Sequence, residues 1–169
     1  MELCFHRMAI RSANVNSGVN WTQTTLEDFH AGTGFQVDVE QTPGSIALSR
    51  EGDNYITEGT FESSSFDSGC LSNFDAIWWD ATVLNEGELK FQIPTSENGE
   101  TWTGLLGPDG TSNTYYDSSG ESISLLHSSQ RYIKWKAYFS NTEASTSPKL
   151  HEVRIMHSAV NPPPPDVEK

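Results

Sequence analysis

Apolar and polar residues alternate along this chain in short runs, and the clearest run is residues 131–139. Ile133, Trp135, Ala137 and Phe139 are apolar at every second position, with Lys134 and Lys136 between them. A period of two sends alternate side chains to opposite faces, so the spacing predicts a half-buried β-strand. Leu150 to Met156 repeats the pattern after a polar turn ending in Ser147-Pro148, with Val153 and Ile155 inward and Glu152 and Arg154 outward. Upstream, Phe35, Val37 and Val39 alternate with Gln36, Asp38 and Glu40. Ser45 to Leu48, Tyr55 to Glu62, Phe74 to Val83 and Leu89 to Ile93 are further strand-like runs. Pro43-Gly44, Glu51-Gly52-Asp53-Asn54 and Asn85-Glu86-Gly87-Glu88 separate them as turns, and the polar stretch Ser63 to Asn73 reads as a loop. Short strands at this spacing predict an antiparallel sandwich.

The ends read differently. Residues 1–34 form an N-terminal segment, part edge strand and part loop. Within it, Thr24 to His30 can make one helical turn, with Thr24 or Thr25 as N-cap and Glu27 and Asp28 in the first turn. Residues 35–158 are the sandwich domain. Residues 159–169 are a tail in which Pro162 to Pro165 favour stiff, extended chain, the signature of a spacer to a neighbouring domain.

Charge narrows the partners. With 10 Lys and Arg against 23 Asp and Glu, the net charge of −13 repels phosphate backbones, which argues against nucleic acid. No apolar run is long enough to span a membrane. Cys4 and Cys70 are too few for a zinc site and either form one disulfide or stay as two thiols.

Several motifs follow one another in a specific order. Gly59-Thr60-Phe61-Glu62-Ser63 is followed by Phe66-Asp67-Ser68-Gly69 and by Ile77 and Trp79. Next come Ser96 to Trp102, Gly107-Pro108-Asp109-Gly110, Tyr115-Tyr116, Arg131-Tyr132-Ile133, and Ser147-Pro148 with Leu150 and Val153. This order resembles prokaryotic extracellular β-sandwich modules of the galactose-binding-like type, the architecture of discoidin domains and many carbohydrate-binding modules. The resemblance implies an all-β fold, an antiparallel β-sandwich of jelly-roll type with long loops. It also implies an appendage of a secreted or cell-surface protein, with a glycan as partner. In such modules a bound calcium is commonly structural.

For catalysis the pattern offers little. There is no Gly-x-Ser-x-Gly elbow and no H-E-x-x-H, and His151 and His157 flank a strand as solvent-facing or rim residues. No pair of carboxylates is singled out for glycoside hydrolysis. Binding is better supplied, since sugar rings pack on aromatic faces while their hydroxyls need polar partners. One candidate surface is the outer sheet face carrying Lys90, Gln92, Lys134, Lys136, Tyr138 and Arg154. A second is the loop group Trp102, Tyr115 and Tyr116 with Asp109 and Asn113. Trp78, opposite in parity to Ile77 and Trp79, is a candidate exposed platform unless the N-terminal segment covers it. Asp53, Asp67, Asp109 and Asp117 lie in turns that could offer oxygen ligands to calcium, or could simply bond their own turns. The expected function is a non-catalytic carbohydrate-binding module. The alternatives are a structural or adhesive surface module without sugar specificity, and a polysaccharide hydrolase domain.

Overall fold

The computed structural model describes residues 18–84 and 87–160. In chain order the strands are β1 (Val19–Gln23), β2 (Thr33–Phe35), β3 (Val37–Asp38), β4 (Ile46–Leu48), β5 (Arg50–Glu51), β6 (Asn54–Tyr55) and β7 (Glu58–Glu62). They continue with β8 (Phe66–Thr82), β9 (Glu88–Gln92), β10 (Thr95–Ser96), β11 (Glu121–Ser122), β12 (Gln130–Ile133), β13 (Lys136–Ser140) and β14 (Lys149–Ala159). A short helix, α1 (Leu26–His30), follows β1, and one 3-10 turn (Leu125–His127) precedes β12.

Two antiparallel sheets build the sandwich. The larger, eight-stranded sheet runs β10-β12-β8-β14-β4-β3, with β1 added to β14 and β11 to β8. The smaller, four-stranded sheet runs β2-β7-β13-β9. Together they form the all-β, jelly-roll sandwich that the motif order resembles. Ile77, Val153, Ile155, Ile46 and Ile133 of one sheet and Phe61, Ala137, Phe139, Leu89 and Phe91 of the other are all buried in one core. Trp135 is fully buried at its centre, 5.4 Å from Phe61 and 5.9 Å from Phe91 between ring centroids.

Residues 131–139 keep their alternation but are not one strand. The run belongs to the large sheet as β12 and to the small sheet as β13, and it crosses between them at Lys134 and Trp135. Partners at the corner satisfy the backbone there: Lys134 N–H donates to the Pro94 carbonyl, and Trp135 N–H donates to Ser63 Oγ. The expected strand from Phe35 to Glu40 is broken in the same way. β2 pairs with β7 in the small sheet, Gln36 adopts a left-handed φ of 57°, and β3 continues in the large sheet. That break reverses the parity, so Phe35 faces solvent at 66% exposure. Tyr55 to Glu62 likewise divides into β6 and β7. Much of the expected loop from Ser63 to Asn73 is strand, because β8 begins at Phe66.

Segments ahead of Phe35 contribute to the sandwich. β1 pairs with β14, and α1 buries Phe29 against Phe61. Thr25 is the N-cap of α1, forming a reciprocal capping box with Asp28. Burial tends to raise the Asp28 pKa, but the Thr24 and Thr25 amides and the Thr25 hydroxyl outweigh it and hold the carboxyl below its usual range. His157 is buried beside Phe66 and Phe74 rather than standing at the rim. Cys70 is disulfide-bonded, while Cys4 and the proline run lie outside the described residues. No described helix is long and apolar enough to cross a membrane.

Candidate functional site

The small sheet turns its outer face to solvent, and its register decides which side chains gather there. In β13, Ala137 and Phe139 point to the core, so Lys136, Tyr138 and Ser140 point out. Tyr138 lies opposite Thr60 of β7 and Lys90 of β9, and Thr60 lies opposite Phe35 of β2. One continuous row therefore reads Phe35, Thr60, Tyr138, Lys90. Beside it run Glu58, Ser140 and Glu88 on one flank and Glu62, Lys136 and Gln92 on the other. Same-face neighbours on adjacent strands are about 5 Å apart, close enough to serve a single ligand.

The loop after β10 folds back over the edge of this face. Tyr115 packs edge-on against Tyr138 with centroids 5.2 Å apart, and Lys90 Nζ sits 4.6 Å from the Tyr115 ring centre. Gln92 is buried beneath the loop, where its amide donates to the Ser112 and Thr114 carbonyls and its Oε1 accepts from the Tyr138 hydroxyl. Burial, with smaller contributions from Tyr115 and Glu62, raises the Tyr138 pKa, so its phenol stays a neutral hydrogen-bonding group. At the other end of the face, Lys134 Nζ lies 4.5 Å from the Trp102 ring centre and donates to Glu62. The sheet face and the loop group thus meet along one surface, with Tyr115 and Trp102 as the two contributions from the loops.

A groove of about 310 Å³ opens on this face, lined by Phe35, Gln36, Glu58, Gly59, Thr60, Glu88, Lys90, Tyr138, Phe139 and Ser140. That volume is in the range of small-ligand sites. Aromatic rings, hydroxyls, a primary amide, carboxylates and one ammonium line it. Glu88 is partly engaged already, accepting from Lys90 Nζ at 3.0 Å.

Other candidates fall elsewhere. Arg154 belongs to the large sheet, opposite Trp78 and near Glu152, so it does not join Lys90 and Tyr138. Trp78 is exposed, at 43%, but stands on that same far side against Gly120. Tyr116 is fully buried, exchanging backbone bonds with Phe91 and accepting at its hydroxyl from the Ser124 amide, which places it in the core. Gln92 is too buried to touch a ligand and acts through Tyr138 and the loop.

The four aspartates are not brought together. Asp53 sits at the β5–β6 turn. Asp67 forms a two-pronged salt bridge with Arg131, at 2.7 and 2.8 Å, and that guanidinium is the main reason its pKa is lowered. Asp109 accepts from Thr114 and from the amide and hydroxyl of Thr111, which lower its pKa in that order of residues. Asp117 accepts from Ser118. Among the described residues no three His, Cys, Asp or Glu side chains form a cluster able to hold a metal.

Phe35, Gln36, Glu58, Thr60 and Glu88 line the groove and are not singled out by the sequence pattern. For Thr60 and Glu88 strand parity carried the signal. For Phe35 it pointed the wrong way, because it does not register the break after β2, whereas Gln36 is exposed as its parity implies.

No family model and no curated protein matches the chain. Among solved structures it is similar to the C-terminal domain of a chitobiase from Bacteroides fragilis, at 13% identity and a TM-score of 0.42 over 79% of this chain and 98% of that one. It is also similar to a CBM32 module produced by Clostridium perfringens, at 16% identity and a TM-score of 0.36 over 78% of this chain and 97% of that one.

Proposed function

We propose that this chain is a non-catalytic carbohydrate-binding module of a secreted or cell-surface protein, using the outer face of its small sheet. The observation that carries the reading is the row Phe35, Thr60, Tyr138, Lys90 along a ligand-sized groove. A sugar ring can lay its C–H face on Tyr138 while its hydroxyls bond to Thr60, Ser140, Glu58 and Lys90. Gln92 positions Tyr138, so the platform is held before ligand arrives. The disulfide at Cys70 supports an oxidising compartment. Native affinity gels cast with xylan, galactan, mannan, hydroxyethylcellulose or glycol chitin test the reading. Retardation by at least one is expected, and no retardation by any, with the fold intact, contradicts it.

A second reading, a structural or adhesive module, is favoured by one observation. Leu125 and Leu126 are adjacent, apolar and exposed, at 87% and 61%. Concentration-dependent assembly in light scattering, abolished by Leu125→Ser and accompanied by no gel response, selects it over the first.

A further inference from the structure

Two residues of the groove on the small sheet, Gln36 and Glu58, also face a neighbouring cavity. A second cavity, of about 450 Å³, is lined by Gln36, Glu51, Asn54, Tyr55, Ile56, Thr57 and Glu58. Gln36 and Glu58 therefore line both cavities, and each cavity alone is large enough for a small ligand. Gln36 also holds an unusual backbone shape at the junction. Its φ of 57° lies in the left-handed region that side chains other than Gly, Asn and Asp seldom occupy. Its carbonyl accepts from the Ser49 amide at 3.0 Å, and Gly59 packs so closely that an added Cβ would stand 2.6 Å from that same oxygen. The backbone is thus pinned from both sides at the residue that lines both cavities. Strained backbone kept in place by its surroundings tends to mark a functional position.

The charges lining the two cavities are unequal. Glu51, Glu58 and Glu88 line the two cavities with one lysine, Lys90, which already donates to Glu88, while the nearby Arg50 guanidinium is taken up by Tyr55, stacking on its ring and donating to its hydroxyl. A ligand bearing regular carboxylates would be repelled along this path.

Resting on the carbohydrate-binding reading, we infer that the two cavities form one continuous site for an internal stretch of a linear, non-acidic polysaccharide, with Gln36 bridging successive sugar rings. The site then recognises chain length, not a terminal sugar alone.

The test is calorimetry with neutral cello-, xylo-, manno- and galacto-oligosaccharides of graded length, and with oligogalacturonate, on the intact chain. Affinity is expected to rise by about tenfold or more from disaccharide to pentasaccharide. Asn54→Ala and Glu51→Gln, which alter only the second cavity, should remove that gain and leave disaccharide affinity unchanged. Equal affinity for short and long oligomers overturns the inference while leaving the carbohydrate reading standing. So does a gain that survives both substitutions, or oligogalacturonate binding as tightly as its neutral counterpart. Failure of every saccharide to bind sinks the reading and the inference together.

Discussion

Trp135 joins the two sheets at the level of a single residue. It is fully buried, and its indole N–H donates to Gln23 Oε1 at 2.9 Å, which ties β1 to the crossing between β12 and β13. Trp135→Ala should cost roughly 3–5 kcal/mol in chemical denaturation, and a loss under about 1 kcal/mol would refute its place in the core. His127 is the clearest source of acid sensitivity. Burial lowers its pKa to about 4 from 6.5, while Nδ1 shares a 2.8 Å hydrogen bond with Thr95 Oγ1. The unfolded chain binds the proton more readily, so the stability owed to neutral His127 is complete above 6.5 and is lost as pH falls through about 4. The loss should be on the order of 3 kcal/mol, and His127→Gln should flatten the slope across that window. If the variant does not fold, NMR titration of the wild-type imidazole decides, since protonation near its ordinary value would contradict the burial. Asp67 behaves in the familiar carboxylate sense. Arg131 lowers its pKa, so its contribution is present at neutral pH and fades in acid. Both side chains are more than a third exposed, so Asp67→Asn should cost under about 1 kcal/mol at neutral pH and nothing in strong acid.

Between residue and fold, the loop carrying Tyr115 decides whether the platform is intact. It is held by Gln92 and by the close approach of Gly107 to Thr114, where an added Cβ would overlap the Thr114 carbonyl. Gly107→Ala should shift the loop, lower saccharide affinity and change tyrosine fluorescence, with the sandwich still folded by circular dichroism. Unchanged affinity would show that the loop is dispensable. The elements also explain which parts of this site were legible in the sequence. The alternation at Ile133, Trp135, Ala137 and Phe139 predicted burial correctly because it is local. It gave no hint that the chain changes sheets at Lys134, since the period is the same on either side of the corner. Arg154 points outward as its parity implies, but parity does not say on which of the two sheets. Phe35 reads as core until the left-handed Gln36 reverses its strand. Tyr116 sits among turn residues and is buried only because it pairs with Phe91, a contact made across a long stretch of sequence.

For the whole molecule, most of the ordered motifs fall on the large sheet and its loops, with Phe66 to Gly69, Ile77 and Trp79 on β8, Ser96 on β10, Arg131 to Ile133 on β12, and Leu150 and Val153 on β14. Function depends on which outer face is used. The small sheet offers an aromatic and polar row beside a groove, whereas the large sheet offers Trp78 and Arg154 apart from it. On that face Lys90 and Lys134 are each paired with a glutamate, Glu88 and Glu62. The most direct measurement is retardation of wild type, Tyr138→Ala and Arg154→Ala in a gel containing the polysaccharide that retards wild type best. Tyr138→Ala is predicted to weaken binding by about tenfold while Arg154→Ala migrates as wild type does. A folded Tyr138→Ala retarded as strongly as wild type would contradict the assignment of this face.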